Sequence, residues 1–232
     1  MKDDTMANGL MAFWADIDPD YVLRYQQWHS CEHIPERVSI PGFLAGRRYR
    51  AMDDVPRFLM MYETEGPQVL TSAAYMAALN APTDWTREAL THFRKPVRTV
   101  YSILAAEGGG AGITAPYVRT MRFDLSDASA EARLAAWTSA AAATAGVKQV
   151  RVWKSDAAGS NVATSERAIY GGGPGKQAFV ALIEFSAPPG ADPIAAGDAV
   201  EPHVSESRRD AETETFWLEV AHRAPALTGD TA

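Results

Sequence analysis

The chain contains a single cysteine, Cys31, so no disulfide can form within it, and nothing in its composition points to an oxidising compartment. Its N-terminal residues lack the basic start and apolar run of a secretory signal. No stretch approaches the roughly 20 consecutive apolar residues that span a bilayer. From these absences we expect a cytoplasmic protein with no membrane partner.

Positive charge is also scarce. The chain has 22 lysines and arginines against 29 aspartates and glutamates, with a formal net charge of -7 and no basic stripe. Such a chain is a poor candidate for binding nucleic acid or an anionic membrane surface. By contrast, 47% hydrophobic and 22% charged residues are typical of a globular protein, and 232 residues allow one large domain or two small ones.

A glycine-rich segment interrupts the chain near its midpoint. Because glycine at this density does not favour a helix or a strand, the segment predicts a linker at residues 106–116. It would separate a first unit, residues 1–105, from a second unit, residues 117–232. A break at half length also indicates a duplication.

The two halves share an element order. The first half reads as strand, helix, two strands, helical region and strand, at residues 9–17, 18–33, 43–52, 57–63, 68–94 and 97–104. The second repeats it less cleanly, with strands at 117–125, 149–154, 178–185 and 215–221 and helices at 129–145 and 193–210. This order predicts an α+β fold of two tandem ferredoxin-like β-α-β-β-α-β units that pack as an α+β barrel, with a cavity between sheet and helices.

The first helix concentrates the candidate chemistry. At about 100° per residue, one arc of it is aromatic at its start and ionisable toward its end. That arc contains Tyr21, Val22, Tyr25, Trp28, His29, Glu32 and His33. A buried His–Glu pair beside an apolar cavity has tunable pKa values, as proton transfer near neutral pH requires.

These residues receive specific predicted roles. His29 is the general base or acid, Glu32 orients it or shares its proton, and His33 relays a proton. Arg37 or Arg47 stabilises developing negative charge. The alternative is structural, since an inward His or Glu can also bond backbone groups at a helix end. Two aromatic residues, Tyr25 and Trp28, are expected to pack in the core and to line the same pocket.

The second strand offers two faces. Arg47 and Tyr49 share one face, and Arg48 and Arg50 share the other, because side chains alternate along a strand. An arginine that faces the cavity could hold a carboxylate or oxyanion of the substrate. We predict Arg47 and Tyr49 as substrate-binding residues, while the sequence leaves open which face lines the cavity.

The segment from His29 to His33 also matches the H-x-x-E-H pattern of certain zinc peptidases. A metal would need a third ligand and supporting groups, and no downstream helix offers a suitable Glu. We therefore predict no metal site.

Several motifs carry a family resemblance. They are the stretch Trp-His-Ser-Cys-Glu-His-Ile-Pro-Glu-Arg at 28–37, Pro-Gly-Phe at 41–43, Arg-Arg-Tyr at 47–49 and Asn-Ala-Pro-Thr-Asp-Trp-Thr-Arg at 80–87. Over about residues 9–104 the chain resembles the dimeric α+β barrel superfamily, most closely its EthD-like and related members. The resemblance implies ferredoxin-like units whose sheets close into a barrel, normally by dimerisation.

In this chain the second half could supply the partner unit, and a homodimer is also possible. The second half lacks a His–Glu pair at 136–139, so one cavity per chain is expected to carry chemistry. The superfamily includes lactone isomerases, polyketide cyclases, cofactor-free monooxygenases, dehydratases and haem enzymes, so the fold does not name the reaction.

The expected function is a cofactor-independent enzyme that uses His/Glu proton transfer on a small aromatic or cyclic substrate in an apolar barrel cavity. Its reaction would be of lyase, isomerase or hydrolase type, as in the catabolism of aromatic compounds. One alternative is a haem-binding enzyme or carrier, with His29 or His33 as the proximal ligand. Another is a non-catalytic module for small-ligand binding or dimerisation.

Overall fold

The computed structural model describes residues 7–53, 55, 57–109 and 115–225. The strands in these residues are β1 Gly9–Ile17, β2 Phe43–Ala51, β3 Arg57–Thr64, β4 Phe93–Gly108, β5 Tyr117–Leu125, β6 Val147–Ser155, β7 Phe179–Phe185 and β8 Arg208–Arg223. All their pairings are antiparallel, and they close into a barrel in the order β1-β3-β2-β8-β5-β7-β6-β4.

Each half of the chain contributes four neighbouring strands to this barrel. The halves join along β2–β8 on one side and β4–β6 on the other. The predicted fold, two ferredoxin-like units packed as an α+β barrel, is therefore confirmed. Because one chain supplies both units, the barrel closes without a second copy, and a homodimer of whole chains stays a prediction.

The helices lie on the outside of the barrel. They are α1 Val22–Trp28, α2 Ile34–Val38, α3 Ala73–Asn80, α4 Asp84–Leu90, α5 Leu134–Ala142, α6 Ala157–Ser160, α7 Ser165–Tyr170, α8 Pro193–Val200 and α9 Pro202–Ser207. A π-helical turn, His29–His33, joins α1 to α2, and 3₁₀ helices at Pro67–Thr71 and Ala128–Arg133 precede α3 and α5. Across the described part of the chain, every helix is too short or too polar to cross a membrane.

Alternation along the strands separates two apolar layers. In β1, Leu10 and Trp14 point into the barrel, whereas Met11 and Phe13 point outward under the helices of the first half. The barrel interior is packed with large side chains such as Tyr49. A pocket lies between the sheet and the helices, where the sequence predicted a cavity.

Part of the barrel interior is ionic. The Arg47 guanidinium donates to both oxygens of Glu63 at 3.0 and 3.1 Å. Arg151 donates to Glu63 and to Glu184, each at 2.5 Å. Buried charges are tolerated when they are paired in this way. The pairing fills this end of the barrel with two cations and two anions.

Several boundaries differ from the sequence prediction. Strand β8 begins at Arg208, inside the helix predicted at 193–210 and seven residues before the strand predicted at 215–221. The first helix begins at Val22 and not at Asp18, whose carboxylate instead bonds His92 and Arg94. Strand β4 extends to Gly108 because its last residues pair with β6, so the predicted linker 106–116 begins inside a strand. The middle of that linker, 110–114, lies outside the described residues. The connection 156–178 carries α6 and α7, neither of which was predicted.

Candidate functional site

The first helix continues through Pro35 by means of its π-helical turn. The backbone N–H of Ile34 donates to the carbonyl of His29, five residues back. Proline has no N–H to give to the fourth residue before it, so an ordinary helix would lose a bond here. Single π-helical turns inside helices are frequent at functional sites.

The wider turn decides which side chains face the sheet. Because the helix is wider here, with i→i+5 bonding, a step of four residues makes nearly one full turn. His33 therefore lies beside His29, with ring centroids 5.6 Å apart. Glu32 is only three residues after His29, so its side chain points away from the histidines. Its carboxylate accepts hydrogen bonds from Thr83 at 2.6 Å and Thr86 at 3.1 Å. The predicted contact between Glu32 and His29 is therefore wrong.

His29 is buried and contacts Tyr62 and Arg48 instead. Its Nε2 lies 3.1 Å from the Tyr62 hydroxyl, and its Nδ1 lies 3.5 Å from Nη1 of Arg48. A guanidinium can only donate, which favours the tautomer with Nδ1 unprotonated and Nε2–H donating to the phenol oxygen. The hydroxyl proton of Tyr62 is then available to another acceptor.

The environment sets the protonation state of these groups. Burial lowers the pKa of His29 well below its usual value, and the charges of Arg48 and Arg37 lower it further. Burial likewise lowers the pKa of His33, again with help from Arg37. Burial raises the pKa of Tyr62 well above its usual value. At neutral pH the site therefore holds two neutral imidazoles and a protonated phenol.

A pocket that opens to solvent lies between the outer face of β1, β3 and β4 and the helices. We call it the sheet–helix pocket. Much of its wall is apolar or aromatic, as in Met11, Phe13 and Phe93. Its polar or ionisable lining residues are His33, Arg37, Tyr62, Tyr75, Arg98, Thr164, Glu166 and Tyr170. His29 lies behind this wall and reaches the pocket through Tyr62.

The second half of the chain completes the pocket of the first. Residues Val162, Thr164, Glu166 and Tyr170, all from the β6–β7 connection, form part of the wall. The Glu166 carboxylate accepts a hydrogen bond from the buried Arg37 guanidinium. Burial raises the pKa of Glu166, and the charge of Arg37 opposes that shift.

Five predicted site residues, including His29, meet on the buried side of the first helix and its continuation. His33, Arg37 and Trp28 line the pocket, and the Trp28 and His33 rings are 4.5 Å apart. Tyr25 is buried behind them, with its ring 5.6 Å from that of His29. These aromatic rings hold the imidazoles in place.

Arg47 and Tyr49 are not brought to this pocket. Both face the barrel interior, on the opposite side of the sheet, because the carboxylates that bind Arg47 lie there. Their predicted role in binding substrate stays a prediction, and in this fold they lie on the opposite side of the sheet from His29 and His33. Arg48 is the β2 residue that faces the first helix. Its Nε donates to Glu219 Oε2 at 2.7 Å, and its Nη1 donates to the Ser30 hydroxyl at 3.1 Å.

Two buried polar atoms on the pocket wall lack a hydrogen-bond partner among the described residues. They are Nδ1 of His33 and Nη1 of Arg37. The latter lies 3.6 Å from a carboxylate oxygen of Glu36, an ion pair without a hydrogen bond. Other buried polar atoms of the described residues also lack a partner, but these two belong to side chains that line the pocket.

The residues present fit a haem poorly. Both nitrogens of His29 face protein groups, Tyr62 and Arg48, so neither is free for iron. The ring of His33 packs against Trp28 and lies near Tyr62, which leaves little room for a macrocycle. Within the described ranges, no three His, Cys, Asp or Glu side chains are grouped as metal ligands would be.

No protein-family model matches this chain. No curated protein matches it either. Solved structures do. An anthrone oxidase-like protein is 11% identical, with a TM-score of 0.64 and coverage of 96% of both chains. A candidate monooxygenase from Fusobacterium nucleatum subsp. nucleatum is 6% identical, with a TM-score of 0.61 and 94% coverage of both chains.

A candidate monooxygenase from Lactobacillus acidophilus is 9% identical, with a TM-score of 0.56 and coverage of 94% of this chain and 97% of the other. Identities this low show a shared fold and leave the activity open. The fold that the sequence resemblance implied, ferredoxin-like units whose sheets close into a barrel, is confirmed by these similarities and by the eight-stranded barrel.

Proposed function

We propose that this chain is an enzyme that moves a proton on a small aromatic or cyclic molecule in the sheet–helix pocket, using its own side chains without a cofactor. The observation that carries the proposal is the unpartnered pair on the pocket wall, Nδ1 of His33 and Nη1 of Arg37, beside the hydroxyl of Tyr62. His33 supplies a base, and Arg37 and Tyr62 supply two hydrogen-bond donors. Abstraction of a proton from a carbon next to a C–O group requires this combination.

The proposed chemistry assigns one task to each group. Neutral His33 accepts a proton from an activated C–H, and the electron pair of that bond moves onto the adjacent oxygen. Tyr62 donates a hydrogen bond to that oxygen, and Arg37 stabilises its charge. Return of the proton to another carbon completes an isomerisation, and loss of a leaving group completes an elimination. His29 is a positioning residue that acts through Tyr62.

The aromatic wall supports a planar substrate, because aromatic rings pack favourably against one another. The fold similarity to an anthrone oxidase-like protein suggests a probe. Anthrone has a CH₂ group activated by a carbonyl across the ring, so loss of one proton gives a stabilised oxyanion. It tests proton abstraction whether or not it is the natural substrate.

The test is deuterium exchange into the CH₂ of anthrone in buffered D₂O, measured by NMR with and without enzyme. We expect the wild type to accelerate exchange and His33→Gln to lose about 100-fold or more of that acceleration, since general bases contribute about 10²–10⁴-fold. The matched control is His203→Gln, a histidine on α9 far along the chain in the second half. It should exchange at the wild-type rate.

The remaining outcomes separate the alternatives. No acceleration for anthrone or for a panel of enolisable cyclic ketones would sink the proposal. Tight binding of those compounds without exchange would favour the non-catalytic binding module. A Soret absorption in the purified protein that disappears in His33→Gln would favour the haem alternative. Oxygen uptake that accompanies exchange would place the reaction among oxygenations.

A further inference from the structure

One buried arginine on the pocket wall lacks the counter-ion that every other buried arginine has. The buried arginines of the described residues are Arg37, Arg47, Arg48, Arg98, Arg122 and Arg151. Five of them lie within 4 Å of a carboxylate. Arg98, which is 6% exposed, is the exception within the part of the chain that the structure describes.

Neutral groups hold the Arg98 guanidinium in place. Its Nη1 donates to the carbonyl of Gly159 at 3.1 Å, and its Nη2 donates to the hydroxyl of Tyr75 at 3.3 Å. These bonds fix its orientation, and the charge of Glu166, which pairs with Arg37, reaches Arg98 only from beyond ion-pair distance. A guanidinium has five N–H donors, so further donors remain for a ligand. A buried cation without an anion is costly, and an anionic ligand would remove that cost.

The charges around the pocket leave this cation unpaired. The only carboxylate among the pocket-lining residues is Glu166, and it pairs with Arg37. Glu36 approaches Arg37 from a position where its side chain is 35% exposed, and it does not line the pocket. His33 is neutral because burial lowers its pKa. The lining therefore carries one net positive charge, because Arg37 and Arg98 face a single carboxylate, and Arg98 is the one that forms no ion pair with it.

The strand register places Arg98 away from Tyr62. Met60 of β3 pairs with Phe13 of β1, and Phe13 pairs with Arg98 of β4. Strand β1 thus lies between Arg98 on β4 and Tyr62 on β3, and Tyr62 is two residues along β3 from the position level with Arg98. The Cα atoms of Arg98 and Tyr62 are therefore roughly 12 Å apart. A ligand held at one end by Arg98 could present its other end to Tyr62.

We propose that Arg98 binds a carboxylate of the substrate, so that the sheet–helix pocket selects small aromatic carboxylic acids over their neutral counterparts. A guanidinium binds a carboxylate through two parallel hydrogen bonds, which also fixes the direction of the ring. This inference rests on the proposed function, because it concerns the same pocket.

The experiment compares acids with amides of the same shape. Benzoate and 2-naphthoate are titrated by calorimetry beside benzamide and 2-naphthamide, which lack the charge. We expect the wild type to bind at least one acid 10-fold or more tightly than its amide. Arg98→Met should weaken acid binding about 30-fold and leave amide binding unchanged. Arg98→Lys should retain part of the preference.

The matched control is Arg87→Met, which removes the same charge from an exposed position of α4. It should keep the wild-type preference. Circular dichroism checks that each variant is folded. If Arg98→Met does not fold, the inference is judged from the acid-over-amide preference of the wild type and of Arg98→Lys. Equal binding of acids and amides by the wild type overturns the inference, as does an unchanged preference in Arg98→Met or the binding of no acid.

The two proposals fail separately. Selective acid binding with no deuterium exchange on any probe overturns the proposed function alone. Exchange on anthrone that depends on His33, without a preference for acids, overturns the role of Arg98 alone.

Discussion

The Tyr62 hydroxyl lies 3.1 Å from Nε2 of His29, and this pair links the buried helix face to the sheet–helix pocket. His29 does not line the pocket, whereas Tyr62 does. Arg48 beside Nδ1 directs the imidazole proton toward the phenol oxygen. The phenol proton is thereby free for a ligand, and the influence of His29 on a ligand passes through Tyr62.

Tyr62→Phe should slow proton transfer while the fold survives. It removes the donor to the substrate oxygen, and loss of one such donor typically costs about 10²–10³-fold in rate. Unfolding should become easier by only about 1 kcal/mol, for one lost hydrogen bond. Deuterium exchange and denaturant unfolding measure the two effects.

The control for that variant is Tyr49→Phe. Tyr49 is a buried tyrosine whose hydroxyl has no partner in the described residues, and it faces the barrel interior. It should keep full activity. If Tyr49→Phe were as impaired as Tyr62→Phe, the pocket would be in the wrong place.

Sequence periodicity was sufficient for the fold and for the buried imidazoles. Alternating apolar residues located the strands, and the arc of the first helix placed His29 and His33 inward. The same arc wrongly placed Glu32 beside His29. A helical wheel assumes 3.6 residues per turn, and the π-helical turn departs from that value. Pro35 was the local signal for such a distortion.

Glu32→Gln should weaken the fold rather than the chemistry. The carboxylate accepts from Thr83 and Thr86, and Thr86 in turn accepts a hydrogen bond from Nε1 of Trp28 on the pocket wall. An amide keeps the shape but accepts more weakly, so we expect a loss of about 1 kcal/mol in stability. Exchange should stay within about threefold of the wild type. A loss comparable to that of His33→Gln would restore Glu32 as a catalytic group.

The residues that sequence reasoning missed come from two places. Tyr62 and Arg98 lie on strands whose pairing the sequence does not reveal, so their approach to the helix could not be derived. Glu166 and Tyr170 come from the other half of the chain. The one available signal was the length of the connection 156–178, far beyond the 2–5 residues of a hairpin, since long connections are often functional.

Glu166→Gln tests whether the second half holds the pocket together. It leaves Arg37 buried without its main counter-ion, and breaking a buried ion pair costs about 3–5 kcal/mol. We expect lower stability in urea and, because α7 carries Tyr170 to the wall, weaker binding of aromatic probes. The control is Glu206→Gln, an exposed residue of α9. Equal stability of the two variants would show that the pair does not anchor α7.

The buried histidines also predict how stability responds to pH. The pKa of His29 and that of His33 are lowered by burial in the fold, whereas both return to about 6.5 in the unfolded chain. Below pH 6.5 the unfolded chain binds protons that the fold excludes, so stability is full above that pH and falls as the pH falls. Each unit of difference in pKa is worth about 1.4 kcal/mol per residue.

Thermal unfolding between pH 7 and pH 5 measures this effect. The wild-type Tm should fall steadily over that range, and His29→Gln should show a shallower fall, because one of the two groups no longer titrates. Glu63, with a pKa lowered to about 2, stays ionised over this range. Glu166 acts in the opposite sense, since burial raises its pKa, but it is common to both proteins and cancels in the comparison. An identical slope in wild type and His29→Gln would mean that His29 is hydrated enough to bind a proton in the fold, and the neutral imidazole that directs Tyr62 would be lost with it.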